Sequence, residues 1–559
     1  MKFLKISKQL IFIVISTICF ACTESTAPEL NENEEENKEE NKEENEEENE
    51  EGNKEENEEE NEERNVTINI NKTYQVIESF SASDCWVPNY IGNHWTENEK
   101  EKIAQLLFSR KINNGVPEGI GLSGWRFNLG GGTADQGSAS GIEDIARRAE
   151  SFMDPTNGTL NWTKQGGQQY FLEKAKGYGC EQFVMFSNTP PVYLTQNGKG
   201  YSDQGAYSNL KVDCYDDFAA YITTVIQHFK TEKDINFSYI SPVNEPQYNW
   251  ASGQEGTGWQ NSEIKKLAVE LNSALVNTGL DTKILLAEAG AWSYLYEIDG
   301  DGNRKNVIAN LFNNSSSTYV GDLSHVAPII CGHSYWTDGN WHTLVDTRTK
   351  VAAAAQSAGL KTYQTEWSML GDHFSTSEYV GHNNATYMDI ALYMSKVIHC
   401  DLTYANVSSW SFWTSMDVER WGHKNRFFLI RITPAGGDYG DITKSGTHFA
   451  TKTLWALGNY SLFVKPGYQR VDMEIKDYSN KLFGSAYISP DKKILVGVYT
   501  NLSNNNYDVK AQLNDLEIES IQTYTTSQSS NLSAQDINNV KTSIIVKPQS
   551  IMTVIYNLK

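Results

Sequence analysis

The chain has 559 residues, a length that suits two or three domains rather than one small core. Its 39% apolar and 11% aromatic content, with only 41 Gly and 13 Pro, excludes a disordered or collagen-like chain. The formal net charge is −24, but residues 31–64 alone hold 20 Glu against three Lys and one Arg, so the rest of the chain is only mildly acidic. A body without a basic excess argues against a nucleic-acid partner and against polyanionic substrates.

Residues 1–21 predict a secretory signal peptide. Three lysines precede the apolar run 10–21, which is too short to span a bilayer but has the length of a signal core. The run ends in Cys19-Phe-Ala-Cys22, which resembles a bacterial lipoprotein cleavage site with Cys22 as the lipidated N-terminus. Cys19 stands where such sites usually have Leu, and plain secretion is the alternative.

Residues 22–64 predict an acidic tether. From Asn31 the chain contains Asn, Glu, Lys and one Gly, with no apolar residue, until it reaches Arg64, so it should stay extended and solvated. An acidic tract soon after a lipidated cysteine resembles the export signals of surface lipoproteins in gut Bacteroidetes, and a spacer without address information is the alternative. We therefore expect a secreted protein that is lipid-anchored at the outer-membrane surface.

Residues 79–460 predict a (β/α)₈ barrel, because eight short β-rich or apolar runs alternate with helical patterns. The runs are 78–84, 121–130, 182–188, 237–245, 283–288, 329–336, 361–367 and 408–413. An open doubly wound sheet would have the same alternation. Residues 461–559 contain strands separated by polar turns. They predict a side β-sandwich, either in its own right or completed by an early strand at 65–78.

Two glutamates end barrel strands in aromatic surroundings. Glu245 ends the fourth strand and is followed by Pro246, which is expected to stop the strand. Glu366 ends the seventh strand. In barrels of this kind the working residues lie at the carboxyl ends of the strands. Two facing carboxylates there are the machinery of glycoside hydrolysis, one as a proton donor and the other as a nucleophile or base.

Aromatic side chains at the same ends predict a rim that binds sugar rings. Five tryptophans fall at or just past strand ends, and they are Trp86, Trp250, Trp336, Trp367 and Trp413. Their flat apolar faces can stack on the C–H faces of sugars, although each one singly could equally belong to the core.

Four segments sharpen this interpretation. They are Gly124-Trp-Arg-Phe-Asn-Leu-Gly-Gly-Gly132, Ser187-Asn-Thr-Pro-Pro-Val-Tyr193, Ser241-Pro-Val-Asn-Glu-Pro-Gln247 and Asn459-Tyr-Ser-Leu-Phe-Val-Lys-Pro-Gly467. Together they resemble glycoside hydrolase family 30 of clan A, over a stretch from about Asn65 to the end of the chain. The resemblance implies a retaining (β/α)₈ enzyme with a side β-domain built from both chain ends. Within the family, the chain most resembles the branch that includes endo-β-1,6-galactanases, which implies arabinogalactan side chains as the substrate.

The resemblance implies roles for individual residues. Glu245 would be the general acid/base, and Glu366 would be the nucleophile that forms a covalent glycosyl-enzyme intermediate. Asn244 would hydrogen-bond the sugar 2-hydroxyl. Arg126, at the end of the second strand, would hold Glu366 ionised, with a structural ion pair as the alternative.

Further substrate contacts are implied at other strand ends. His333 and Tyr335 end the sixth strand, and Tyr335 would contact the nucleophile. Trp413 would form the floor beneath the reacting sugar, and Trp250 would be a further contact. Asp84 could bind a hydroxyl of the same sugar, although a helix-capping or loop role is the alternative.

Other features allow more than one interpretation. Glu288 ends the fifth strand and is either a substrate contact or an Arg partner. The triple glycine 130–132 lacks the Lys-Ser/Thr of a phosphate loop, so close backbone packing is favoured. The ten His show no metal-ligand spacing and the five cysteines of the body include no Cys-x-x-Cys pair, so we expect neither a metal nor another cofactor, and the thiols should be free.

Alternative functions remain at this point. They are another family 30 specificity, such as a β-1,6-glucanase, xylanase or β-glucosidase, a hydrolase of another clan A family, and a surface glycan-binding protein without catalysis. The expected partners are a polysaccharide or oligosaccharide and, through the anchor, a membrane. We expect a monomer.

Overall fold

The computed structural model describes residues 62–298, 300–371, 381, 384–421, 424–476, 480–513, 516–537 and 543–559. The chain divides into residues 1–58 and residues 59–559, and all described residues belong to the second unit. The predicted signal peptide, the lipidation site Cys22 and residues 22–61 of the predicted tether lie outside the described residues. Within the described part, no helix is both long and apolar enough to cross a membrane.

Eight parallel strands form the barrel. In chain order they are Ser79–Ala82, Gly124–Asn128, Gln182–Phe186, Tyr239–Ser241, Lys283–Ala289, Val326–His333, Lys361–Trp367 and Val407–Phe412. From the second to the eighth, each strand pairs with the next, and the eighth pairs with the first. A parallel bridge between Ser83 and Arg126 joins the first strand to the second and closes the ring. The (β/α)₈ barrel is confirmed, and the open doubly wound alternative is wrong.

Helices surround the barrel and connect its strands. The α-helices are Val87–His94, Glu97–Phe108, Thr133–Gln136, Gly166–Gly177, Tyr215–Glu232, Asn261–Thr278, Val307–Phe312, Trp341–Ser357, Tyr387–Tyr404 and Lys452–Ser461. Short 3₁₀ helices are Gly137–Ser140, Ile145–Arg147, Val192–Leu194, Trp292–Leu295 and Glu419–Trp421. Small sheets pair Ile112–Asn113 with Val116–Pro117, and join Met416–Val418, Ile430–Thr433 and Thr447–Ala450.

The helix Asn261–Thr278 shows how the sequence sets these boundaries. At its start the Glu263 carboxylate accepts a hydrogen bond from the backbone N–H of Gln260, as in a capping box. Its apolar positions recur at helical spacing and are buried, and they are Ile264, Leu267, Ala268, Leu271 and Leu275. Gly279 follows at φ +65°, a left-handed conformation that ends the helix and that glycine adopts without strain.

The side β-domain is one nine-stranded sheet. Its strands are Glu62–Val76, Gln469–Ile475, Leu482–Ile488, Ile494–Asn501, Tyr507–Leu513, Ile518–Thr526, Ser533–Ile537, Ile544–Val546 and Ser550–Leu558. The first of them pairs antiparallel with Gln469–Ile475 and parallel with Tyr507–Leu513, so both chain ends build the domain, as expected. This strand begins at Glu62 rather than Asn65, so residues 62–64 belong to the sheet and not to the tether.

Side chains along the last strand, Ser550–Leu558, alternate between the two faces of the sheet, and this alternation shows how the side domain packs. Met552, Val554 and Tyr556 point into a core enclosed by the side domain. Ile551 belongs instead to the cluster shared with the barrel helices. Thr553 donates a hydrogen bond to the backbone oxygen of Asn459 at 2.6 Å. One face of the sheet therefore packs on the barrel and the other face on its own core.

Candidate active site

The fourth and seventh strands bring two glutamates to the same end of the barrel. The fourth strand ends at Ser241, four residues earlier than expected, because Pro242 has no N–H to continue the ladder. The chain then runs to Glu245, whose N–H donates to the backbone oxygen of Glu288 at 2.9 Å. Glu366 is the second-last residue of the seventh strand.

Glu366 lies in a buried and charged environment. Arg126 Nη1 donates to its Oε2 at 2.7 Å, and the Tyr335 hydroxyl donates to its Oε1 at 3.1 Å. Burial raises the pKa of Glu366 above its ordinary value, while His333 and Arg126 act in the opposite direction. Both hydrogen bonds favour the ionised carboxylate.

Glu245 has a histidine as its partner. His333 Nδ1 lies 2.8 Å from Glu245 Oε1, and the other ring nitrogen, Nε2, lies 3.1 Å from Glu288 Oε2. Burial lowers the pKa of His333, but the three carboxylates of Glu366, Glu245 and Glu288 outweigh burial and raise it to about 10. The ring is therefore an imidazolium at neutral pH, and each of its nitrogens donates to a carboxylate.

The sequence left two interpretations of Glu288 open, a substrate contact or a partner of an arginine. The structure places it beside Arg126. Its side chain is fully buried, and Oε2 lies 3.6 Å from Arg126 Nη2. Burial alone would raise the pKa of Glu288, but Arg126, His333 and Ser241 lower it to about 2. Glu288 is therefore a permanent anion behind the two glutamates.

The separation of the two glutamates distinguishes two kinds of hydrolysis. One oxygen of Glu245 and one of Glu366 lie within 4.8 Å of each other. Carboxyl groups about 5–5.5 Å apart are typical of retaining enzymes, whereas inverting enzymes need about 6.5–9.5 Å to fit a water. The spacing fits direct attack by one carboxylate on the sugar.

Both glutamates line one pocket of about 220 Å³. Its lining residues are Asn188, Asn244, Glu245, Tyr248, Trp250, Gln254, Tyr335, Trp336, Glu366, Leu370 and Trp413. A small pocket with aromatic walls and a few polar groups suits a sugar ring.

Comparison with known proteins decides the family. Residues 63–424 match the family model described as O-Glycosyl hydrolase family 30. The chain belongs to glycoside hydrolase family 30. It is 24% identical over 379 residues to an endo-β-1,6-galactanase of Hypocrea rufa, covering 64% of this chain and 68% of that protein.

Other relatives carry different activities. A glucuronoxylanase of Bacillus subtilis (strain 168) is 23% identical over 374 residues, covering 66% of this chain and 71% of the relative. A crystal structure of a conserved exported protein from Bacteroides fragilis superposes with a TM-score of 0.80 at 30% identity, covering 88% of this chain and 99% of that one. The chain is therefore a retaining family 30 glycosidase, and its relatives differ in substrate.

Three backbone conformations in this family 30 pocket are unusual. Glu245, Trp250 and Trp336 have φ values of +40°, +50° and +60°, which is the left-handed region that bulky residues avoid. Such strain collects at functional sites because surrounding contacts hold it in place. Trp250, for example, donates its indole N–H to the backbone oxygen of Glu245 at 3.2 Å.

Three of the five rim tryptophans line the pocket, and two do not. Trp250, Trp336 and Trp413 are in its wall. Trp86 is buried and packs edge-on against Trp413, with 5.3 Å between the ring centroids. Trp367 is fully buried and donates to Asp338 Oδ2 at 2.9 Å. Trp86 and Trp367 pack inside the protein. The expected rim of five tryptophans is therefore corrected to three at the pocket.

Two residues expected as substrate contacts, Asp84 and His333, do not line the pocket, and Arg126 contacts Glu366. Asp84, Arg126 and His333 are fully buried. Arg126 and His333 contact the two glutamates and do not face the open pocket. Asp84 Oδ1 accepts bonds from the Asn128 N–H at 2.7 Å and from Gln168 Nε2 at 3.0 Å, and burial raises its pKa to about 7. These bonds tie Asp84 to the end of the second barrel strand and to the helix Gly166–Gly177.

The remaining expected residues stand at the pocket. Asn244 lines it and accepts a bond from Arg126 Nη2 at 3.2 Å through Oδ1, which leaves its amide N–H groups for a ligand. Sequence reasoning missed Tyr248, Gln254 and Leu370 as lining residues, because they sit in loops without periodicity. Asn188 lies in the segment 187–193, one of the four that resemble the family, and this resemblance could have marked it as a pocket residue.

A buried carboxylate fastens the loop that carries Trp250. Glu255 accepts hydrogen bonds from Gly131 N–H at 2.9 Å and from the Thr133 hydroxyl at 2.7 Å. A Cβ at Gly130 would lie 2.2 Å from the backbone oxygen of Glu150, so the triple glycine serves close packing, as favoured. Burial raises the pKa of Glu255 to about 7.

The spacing of Glu245, His333 and Glu366 would also suit a metal ion, since one ligand atom of each lies within 4.8 Å of the others. A metal needs a deprotonated histidine nitrogen. Both His333 nitrogens face carboxylates and the ring is protonated at neutral pH. The donor set therefore fits a proton-transfer site better than a metal site.

Proposed function

We propose that this family 30 glycosidase uses Glu366 as nucleophile and Glu245 as general acid/base, and that its substrate is β-1,6-galactan. The observation that carries the assignment of roles is the pairing of Glu366 with Arg126 Nη1 at 2.7 Å. A guanidinium beside a carboxylate favours its charged form, which a nucleophile requires.

The first step forms the glycosyl-enzyme. A Glu366 oxygen attacks the anomeric carbon, the bond from that carbon to the leaving oxygen breaks, and Glu245 gives its proton to that oxygen. His333 occupies Oε1 of Glu245, which leaves Oε2 to carry the proton. Asn244 offers its amide to the sugar 2-hydroxyl, where contacts strengthen in the transition state.

The second step releases the sugar. Glu245, now ionised, takes a proton from water, and the water oxygen attacks the anomeric carbon and displaces Glu366. Two displacements restore the original anomeric configuration. Arg126 and Tyr335 receive the carboxylate of Glu366 as its negative charge returns.

The choice of β-1,6-galactan has two supports. The first is the similarity to the Hypocrea rufa galactanase. The second is the set of sequence segments that resemble that branch of the family. The glucuronoxylanase relative has nearly the same identity, so xylan is the competing substrate.

The test is a panel of substrates with matched variants. The protein without residues 1–21 is incubated with β-1,6-galactan, β-1,6-glucan, glucuronoxylan and an aryl β-glucoside, and products are separated by chromatography. Glu366→Gln and Glu245→Gln are compared with Glu232→Gln, an exposed helix-end control. Oligosaccharides from β-1,6-galactan alone, retained by the control and lost in both site variants, support the proposal.

Other outcomes contradict parts of it. Products from another glycan overturn the substrate and keep the roles of the two glutamates. Glycan binding without turnover of any substrate would favour the non-catalytic alternative.

We also propose that the mature protein is lipid-anchored through Cys22 at the outer-membrane surface, on the sequence pattern described above. Labelling cells with an alkyne-tagged fatty acid tests this, with Cys22→Ser as the control. Label on the wild type alone supports the anchor. Unlabelled protein in the culture medium contradicts it.

A further inference from the structure

A buried anion lies beneath the two proposed catalytic glutamates. Glu288 is fully buried and does not line the pocket. The hydroxyls of Ser241 and Thr365 donate to its two oxygens, and His333 Nε2 lies 3.1 Å from Oε2. Arg126 Nη2 lies 3.6 Å from the same oxygen.

Each cation that Glu288 holds also reaches one glutamate of the pair. Arg126 Nη1 lies 2.7 Å from Glu366 Oε2. His333 Nδ1 lies 2.8 Å from Glu245 Oε1. Glu288 is thus the shared partner of the two groups that contact the reacting carboxylates.

The charges of this cluster can be counted. Arg126 and His333 contribute two positive charges, and Glu288 and Glu366 contribute two negative charges. The buried cluster is neutral when Glu245 carries a proton, which is the state that the first step needs. Because an uncompensated charge is costly in a buried site, the negative charge of Glu288 stabilises the two cations that it contacts.

We propose that Glu288 is a positioning residue whose fixed negative charge holds Arg126 and His333 as cations against Glu366 and Glu245. The inference rests on the roles of Glu245 and Glu366 proposed above. It assigns Glu288 no contact with substrate.

Removing the negative charge of Glu288 should lower the pH at which the cluster loses a proton. With Gln at position 288, the cluster carries one excess positive charge while Glu245 is protonated. His333, whose pKa the Glu288 carboxylate helps to raise, then loses its proton at lower pH. The other titratable groups near this cluster are Tyr335, Tyr248, Tyr294, Cys331, Cys85 and Asp84. Burial raises the pKa of the tyrosines and thiols above their ordinary values, so they stay neutral and do not compensate. Burial raises the pKa of Asp84 to about 7 although Arg126 lowers it, so Asp84 is the neighbouring group that titrates in the same range.

The test is the pH dependence of kcat/KM for Glu288→Gln on the glycan that the wild type cleaves. A neighbouring charge shifts a pKa by about one to three units, so the alkaline limb should move to lower pH by about one unit or more. KM should change little, because the residue is out of reach of the substrate. Asp401→Asn is the control, since Asp401 is also fully buried and binds Arg348 at 2.8 Å.

A second measurement does not need activity. ¹⁵N NMR of the imidazole of His333, assigned with His333→Gln, should show an imidazolium beyond neutral pH in the wild type and a lower titration in Glu288→Gln. If that variant does not fold, Glu288→Asp moves the charge away and should shift both readouts in the same direction by less.

An alkaline limb and a His333 titration that match the wild type, with only a lower unfolding temperature, would reduce Glu288 to a structural ion pair and overturn the inference. A wild type without activity on any glycan would instead refute the proposed function, while the NMR titration would still decide the charge relation.

Discussion

Removal of the Tyr335 hydroxyl tests the environment of the proposed nucleophile. In Tyr335→Phe the ring stays in place, and Glu366 loses a hydrogen bond of 3.1 Å. A hydrogen bond to a charged group contributes about 1.5–3 kcal/mol. Since one pKa unit corresponds to about 1.36 kcal/mol, the pKa of Glu366 should rise by about one to two units.

The sign follows from which form the hydroxyl stabilises. The Tyr335 O–H donates to the ionised carboxylate of Glu366, so its loss favours the protonated form, which cannot attack. The acid limb of kcat/KM should therefore move to higher pH, with rates above the limb much less affected. Burial already raises the pKa of Glu366, so the limb of the wild type itself should lie above the ordinary glutamate value.

The assay is reducing-sugar release from the glycan that the wild type cleaves, measured across pH. Tyr221→Phe is a matched control, because its buried hydroxyl bonds Ser151 Oγ at 3.2 Å on the outer helix Tyr215–Glu232. An acid limb that stays in place in Tyr335→Phe would show that the hydroxyl does not stabilise the ionised Glu366. An equal movement in the control would show the same.

Arg126→Gln leaves buried carboxylates without their cation and should lower the free energy of unfolding by about 3–5 kcal/mol, measured by urea denaturation; an unchanged midpoint would contradict the ion-pair geometry. Trp336→Ala removes an aromatic face that is 46% exposed at the pocket and should raise KM for the polysaccharide about tenfold, a loss of about 1.4 kcal/mol, with kcat nearly unchanged. Tyr439→Ala, at an 86% exposed aromatic outside the pocket lining, should leave KM unchanged, and an equal effect at both sites would exclude a specific role for Trp336. Leu495→Ala in the side-domain core should cost about 2–5 kcal/mol of stability in the same denaturation assay without lowering the activity of the folded protein, and a stable variant would show that this core contributes little.

Much of the fold could be predicted because barrel strands are short apolar runs bounded by turns. The seventh strand was expected at 361–367 and lies at Lys361–Trp367. The fourth strand was expected to reach Glu245 and ends at Ser241, because Pro242 rather than Pro246 interrupts the ladder. The start of the side-domain strand at Glu62 escaped prediction because its first residues are as polar as the tract before them.

The site was only partly readable from sequence. Strand ends located Glu245 and Glu366, since position along a strand decides which end of the barrel a residue occupies. The partners of Glu288 come from the second, fourth, sixth and seventh barrel strands, and no local pattern encodes contacts between such distant segments. The division of the rim tryptophans, with Trp367 in the core and Trp336 at the pocket, depends likewise on side-chain directions and loop conformations.

Mass spectrometry of a trapped intermediate can show whether Glu366 is the nucleophile. The protein is incubated with an activated 2-deoxy-2-fluoro-β-galactoside, which slows the second displacement, and is then digested with a protease. If Glu366 is the nucleophile, one sugar is added to the peptide that contains Glu366, and no such label is found in Glu366→Gln. A sugar attached to Glu245, or turnover without any covalent adduct and with inverted product configuration, would contradict it.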